Sequence, residues 1–342
     1  MIAMCGNTSE KIPYFDFAVV IPLYNKKKYI GRCLETALAA LDTYEAFAKI
    51  NCESYRRPEI IVIDDGSTDE GATVVKSRFL QDPRVKLHTQ TNLGAAATRN
   101  AGSRLTSSKY IAFLDADDAW CIDHIMEMAR LVIKHPKAVM IATSYYQVLA
   151  DGCRRDPDFA HVPKKKAGLI ERYFLSMAHG SMPICSSAVA VDRKTMFSAG
   201  GFPNGTTHGE DRVFWAEMAQ HGQVAWSPRK TSIYHLNAEN RSENTWKPEK
   251  ATAYRAYLIS LLVRQNLHPQ LRKDISENIS SETFYLAHNC ILKGYTTFTQ
   301  LLLQDLRKTG DYAAVISLEK CISKPQTSYS VIYPPNKERL AG

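Results

Sequence analysis

Four short strand-like runs, the first three each followed by a stretch with helical spacing, constrain this chain more than any other feature. Phe17–Leu23 (FAVVIPL), Glu59–Asp64 (EIIVID), Val85–Thr89 and Tyr110–Leu114 (YIAFL) read as strands, the first, second and fourth apolar enough to be buried on both faces. Between them, Lys28–Phe47 repeats Ile30, Leu34, Leu38 and Leu41 along one helical face, and Thr73–Leu80 and Gly94–Leu105 read as helices. Strands joined through helices imply βαβ crossovers and a mostly parallel sheet with flanking helices, an α/β fold. Ligands of such sheets gather beyond the carboxyl ends of the strands. Asp64, Asp65 and Asp115–Asp118 all stand at such ends.

The second half is less regular. Ala138–Leu149 reads as a strand, Asp151–Lys166 as a polar loop, Ser187–Val191 as a strand and Gly209–Gln220 as a helix with an acidic start. Gln223–Trp226 and Thr231–His235 read as two short strands around Ser227-Pro228. Beyond residue 250 the pattern is helical, over Tyr254–Gln265, Leu271–Leu292, Thr296–Lys308 and Tyr312–Lys320. The expected organisation is a loose leader (1–14), one catalytic domain (15–246), a helical region (247–322) and an irregular tail (323–342).

Composition narrows the class. A hydrophobic fraction of 45% and a charged fraction of 23% exclude a disordered or collagen-like chain. The net charge of +8 is spread out, and its densest cluster, Lys164-Lys165-Lys166, is too short for a nucleic-acid footprint. The eight cysteines form no CxxC pair and no secretory apolar segment precedes them, so reduced thiols in a cytoplasmic protein are expected. No apolar run reaches the roughly 18 residues a membrane span needs. The apolar stretch Tyr257–Val263 is expected to pack on the catalytic domain or a second copy, with peripheral membrane contact as the other reading.

The chemistry centres on Asp115-Ala116-Asp117-Asp118. Like charges this close repel unless a cation compensates, and hard oxygen ligands suit Mn²⁺ or Mg²⁺ bound together with substrate phosphates. Alone, such a cluster is more often a chance run or a capping turn; its companions give it weight, with Asp118 read as a neighbouring cap. Asp64 ends its strand, where a carboxylate can accept from a ligand donor, whereas Ser67 and Asp69 suit capping of the next helix. Pro22, Tyr24 and Asn25 leave the first strand beside the same crevice. Asn92-Leu93-Gly94 allows close backbone approach, and Arg99 follows as either a nucleotide contact or the partner of an aspartate.

VVIPLYN, IIVIDDGSTD, NLGAAATRNAG and FLDADD, in this order, resemble a family 2 glycosyltransferase with the GT-A fold, over roughly residues 15 to 245. The resemblance implies an inverting enzyme that uses a nucleotide-sugar, commonly a UDP-sugar. It places Pro22, Tyr24 and Asn25 around the nucleoside, Asp64 on the base, Asp115 at the ribose or metal, and Asp117 on the metal. Asp65, Asn92, Gly94, Arg99 and Ala116 complete the expected nucleotide-sugar site. Gly200-Gly201-Phe202 and Gly209-Glu210-Asp211 resemble the family's GGF…ED block, making Asp211 the expected general base and Glu210 second. His235 is expected at the metal or diphosphate and Arg241 at a phosphate; Gly201, Phe202 and His208 are set on the acceptor side. The expected acceptor is a glycan or lipid-linked glycan. The chain departs from the family pattern in a long connection between Leu38 and Pro58 and in Thr98 ahead of Arg99-Asn100. Two other functions compete: a sugar nucleotidyltransferase, disfavoured because PLYNKKKY lacks a glycine-rich loop, and a non-catalytic module that binds nucleotide-sugars.

Overall fold

The computed structural model describes residues 14–52, 54–206, 208–239, 247, 252–264, 266–308 and 312–323. Strand β1 (Phe17–Leu23) leads into α1 (Ile30–Asn51), β2 (Glu59–Asp64), α2 (Gly71–Arg78), β3 (Val85–Thr89), α3 (Ala95–Arg104) and β4 (Tyr110–Phe113). Then come β5 (Ala119–Trp120), α4 (His124–Lys134), β6 (Ala138–Val148), β7 (Arg154–Arg155), β8 (Gly168–Leu169) and α5 (Tyr173–Ala178). They are followed by β9 (Val189–Asp192), α6 (Arg193–Ser198), α7 (Glu210–His221) and β10 (Gln223–His235). Helices α8 (Ala253–Val263), α9 (Pro269–Leu292), α10 (Thr296–Lys308) and α11 (Tyr312–Ser323) form the helical region.

The strands make one sheet in the order β3-β2-β1-β4-β9-β6-β10-β5, with β7 beside β6 and β8 beside β10. Pairing is parallel across β3-β2-β1-β4 and between β6 and β10, and β9 runs antiparallel between β4 and β6. All six residues of β2 are buried, as a strand covered on both faces requires. One apolar core packs Ile30, Leu34, Leu41, Ile125 and Leu131 of α1 and α4 against one face of the sheet. The other face carries Phe202, Phe214 and Trp215 together with Tyr254, Leu258 and Ile279 of α8 and α9. The helical region therefore shares its core with the sheet as far as Ile279, and α9 to α11 add a smaller core around Leu286, Leu303 and Leu318.

Several local features differ from the sequence reading. Residues 223–235 form one strand, because Pro228 sits in an irregularity of the β6–β10 pairing, where a missing N–H is tolerated. β5, α4, β8, α5 and α6 were not expected, β7 lies within the stretch read as the Asp151–Lys166 loop, and α4 starts at His124 with no side-chain hydrogen bond from its N-cap, Asp123. Helix α1 continues to Asn51, filling the long connection before β2. No helix of the described residues is long and apolar enough to cross a membrane, and Cys33, Cys52, Cys121, Cys153, Cys185 and Cys290 are free thiols.

Candidate functional site

The carboxyl ends of β1, β2 and β4 lie side by side, and the loops leaving them are tied to one another. Asn25, in a left-handed conformation (φ 52°), accepts with its Oδ1 from the Thr68 and Asp69 amides at 2.8 and 3.2 Å, while its own amide donates to Ser67 Oγ. Its side chain therefore fastens the loop after β2 to the end of β1. Tyr24, 44% exposed, stands free at that edge, and Pro22 pairs with Ile63 inside the sheet. Asp64 is buried and accepts from the Ser67 amide at 3.1 Å.

Asp65 does not cap the next helix. Its carboxylate accepts from Gln90 Nε2 at 2.7 Å and from the Leu93 and Gly94 amides at 2.9 Å each, holding the turn that starts α3. Asp69 accepts from the Gly71 amide at the start of α2, as a cap does. Gly94 is required by its φ of +86° at the α3 terminus and not by crowding, since a Cβ there would meet nothing within 4 Å. Asn92 is exposed beside it.

Within the acidic cluster each carboxylate has a different partner. Asp115 accepts from Arg99 Nη2 at 2.7 Å, so Arg99 is an aspartate partner. Asp117 accepts from Lys26 Nζ at 2.7 Å, and its carbonyl accepts from Arg32. Ala116 is buried between them. Asp118 is wholly buried and accepts from Ser187 Oγ and the His235 amide, so it is no helix cap; it pins β10 and the 186–188 turn to the end of β4. Burial and the charges of Asp117 and Asp115 push Asp118 well above the usual carboxylate range.

Arg99 joins the two halves of the site. Its guanidinium, almost wholly buried, also pairs with Glu210 at 3.2 Å, so one cation holds the β4 carboxylate and the first turn of α7 together. Burial, then the adjacent Asp211, pushes Glu210 up to about 7, with Arg99 opposing. The neighbouring Asn100 accepts from the Phe202 amide at 2.9 Å and donates to its carbonyl at 2.8 Å. Gly201 (φ +72°) is needed there, because a Cβ would come within 2.6 Å of Asn100 Oδ1. Phe202, set on the acceptor side by the sequence, instead points into the core against Phe113, Phe214 and Trp215 and is only 1% exposed. It supports the loop from beneath and cannot touch a substrate. His208 is partly exposed just ahead of α7, and Arg241 lies outside the described residues.

His235 ends β10. Its Nδ1 is buried without a hydrogen-bond partner, 3.9 Å from Asp118 Oδ1, and burial, then Arg32, lowers its pKa to about 4, leaving a neutral imidazole that can act as a ligand. Among the described residues no three His, Cys, Asp or Glu side chains converge as a ready metal cluster. Lys26 and Arg32 are not among the residues expected at the site; the run Lys26-Lys27-Lys28, two residues beyond β1, is the signal for the first.

Residues 18–193, just over half of the chain, match the model of glycosyl transferase family 2. The chain belongs to this family. Among its relatives are an uncharacterized glycosyltransferase of Rickettsia conorii, 26% identical over 234 residues, and the putative teichuronic acid biosynthesis glycosyltransferase TuaG of Bacillus subtilis, 27% identical over 237 residues. The matches cover 68% and 69% of this family 2 chain and 35% and 84% of those proteins, so the chain spans about a third of the length of the Rickettsia relative. Among solved structures it is similar to S. aureus TarS 1–349 in complex with UDP-GlcNAc (TM-score 0.62, 16% identity, 91% of this chain and 93% of that one). It is also similar to the mannosyltransferase PcManGT of Pyrobaculum calidifontis in complex with GDP-Man and Mn²⁺ (TM-score 0.55, 15% identity, 92% and 88%). The fold is that of GT-A glycosyltransferases.

Proposed function

We propose that this family 2 chain is an inverting, metal-dependent glycosyltransferase that moves a sugar from a nucleotide-sugar, of the UDP class, to a hydroxyl of a glycan or lipid-linked glycan. The observation that carries this reading is Arg99: its two ion pairs, 2.7 and 3.2 Å long, bring the strand-end carboxylate Asp115 and the Glu210-Asp211 turn together. TarS with UDP-GlcNAc and PcManGT with GDP-Man, which share the fold, support a nucleoside-diphosphate sugar as donor, and the first of them supports UDP.

In this reading Tyr24 flanks the base, Asp64 accepts from its ring N–H, and the turn held by Asp65 approaches the ribose and phosphates. Asp117 and Asp115 would hold Mn²⁺ or Mg²⁺ together with the donor phosphates, and the unpartnered His235 Nδ1 would face the diphosphate. When bound, the ion would neutralise charge on the departing diphosphate. The chain itself orients the reactants and moves one proton. Asp211 takes the proton of the acceptor hydroxyl as that oxygen bonds to the anomeric carbon and the bond to the diphosphate oxygen breaks, a single displacement that inverts configuration. Glu210, tied to Arg99, holds the turn in place.

A thermal-shift panel of nucleotide-sugars with and without Mn²⁺ tests the donor class, because a ligand at about 100 times its Kd adds about 2.7 kcal/mol to the folded state. UDP-sugars that stabilise only with the metal, and free UDP released over time, are the expected result. Pyrophosphate released from a nucleoside triphosphate would move the chain to the nucleotidyltransferases; donor binding without turnover would make it a binding module.

A further inference from the structure

The first turn of α7 has no cap of its own. Its N-cap, Gly209, is in a left-handed conformation (φ +76°) and offers no side chain to the free amides of the turn. The turn Glu210-Asp211-Arg212 is instead fixed from two sides. Glu210 reaches Arg99 in the donor half of the site. Arg212 turns the other way, into the helical region: Nη1 donates to Glu282 Oε1 of α9 at 2.9 Å and Nη2 donates to Oε2. The same guanidinium lies 4.1 Å from the ring centre of Tyr254 in α8. Tyr254 is 1% exposed and its hydroxyl accepts from Asn278 Nδ2 at 2.9 Å, while Glu282 is 4% exposed. The Arg212 amide donates to Asp211 Oδ1 at 2.7 Å, so the orientation of this residue sets the direction of the carboxylate.

We propose that Arg212, clamped by Glu282 and Tyr254, is a positioning residue that aims the Asp211 carboxylate, making α8 and α9 a working part of the catalytic centre. The proposal rests on the reading of Asp211 as the base. A buried ion pair adds little stability over an apolar pair of the same size, whereas a two-pronged guanidinium–carboxylate pair fixes direction. With the clamp in place Asp211 cannot swing with its turn, and a catalytic group misplaced by about 1 Å costs on the order of 10²-fold in rate.

The test uses the full chain with Glu282→Gln and the milder Glu282→Asp, each alone and combined with Asp211→Asn. Nucleotide affinity establishes the folded, binding-competent fraction, and kcat and donor KM are then measured. The clamp predicts a kcat loss of about tenfold or more, donor KM within about twofold, and no further loss when either change is added to Asp211→Asn. If Glu282→Gln does not fold, Glu282→Asp carries the comparison. Single variants with kcat within about twofold of the parent would overturn the clamp. So would an equal loss in both backgrounds, because the effect would then bypass Asp211. An Asp211→Asn enzyme that keeps the parent rate would overturn the base reading itself, and the clamp with it.

Discussion

Replacing Arg99 by methionine removes the cation that joins the two halves of the site. Asp115 and Glu210 then lose a partner 2.7 and 3.2 Å away, and the arginine they leave is 6% exposed. Breaking a buried ion pair costs about 3–5 kcal/mol, and the lower end applies because water can reach part of Asp115. At about 2 °C per kcal/mol for a chain of this size, the melting temperature should fall by about 6 °C. The loss should also depend on pH. Glu210 titrates near 7 against an ordinary value of 4.5, so its protonated form favours the folded state; that stability is full below 4.5 and disappears as pH rises through 7. Without Arg99 to oppose the shift, the folded value climbs further, and the deficit of Arg99→Met should grow between about pH 5.5 and about pH 8. Thermal unfolding of both proteins across that range measures it. A drop below about 2 °C, or a gap that narrows as pH rises, would refute the bridging role.

Three other variants probe the supports of the site. Lys26→Met removes the ammonium 2.7 Å from Asp117, so nucleotide-free Mn²⁺ binding should tighten in calorimetry; unchanged or weaker affinity would show that Lys26 does not compete for that carboxylate. Asp65→Ala leaves the Leu93 and Gly94 amides without their acceptor, costing about 1–2 kcal/mol and weakening UDP binding, and an unaltered UDP affinity would detach this turn from the nucleotide. Gly201→Ala forces a Cβ to within 2.6 Å of Asn100 Oδ1 at φ +72°, with a cost of about 1–3 kcal/mol in denaturant unfolding; a neutral result would show that the loop moves aside freely.

The parallel half of the fold was legible because β1, β2 and β4 are buried on both faces and so read as apolar runs, the second and third of which lead into acids. The carboxylates at their ends followed directly. What could not be read are contacts set by tertiary register. Asp118 looked like a cap because its partners, Ser187 and His235, lie 69 and 117 residues away. Lys26 meets Asp117 across 91 residues, and Arg212 meets Glu282 across 70. Phe202 lies in a motif that reads as substrate-facing, yet only the packing of α7 shows its ring turned inward. Pro228 misled for a local reason: a proline within an apolar run argues against a continuous strand unless the pairing is irregular at that point, and here it is.

The central claim is that Asp211 accepts the proton of the attacking hydroxyl at a site whose donor half is built separately. Asp211→Asn keeps the shape of the side chain and removes its basicity, so sugar transfer by this variant, measured beside its nucleotide-sugar affinity, tests the claim most directly. The account predicts transfer reduced on the order of 10²- to 10⁴-fold with donor affinity within about twofold of the parent. Transfer at a comparable rate would contradict it.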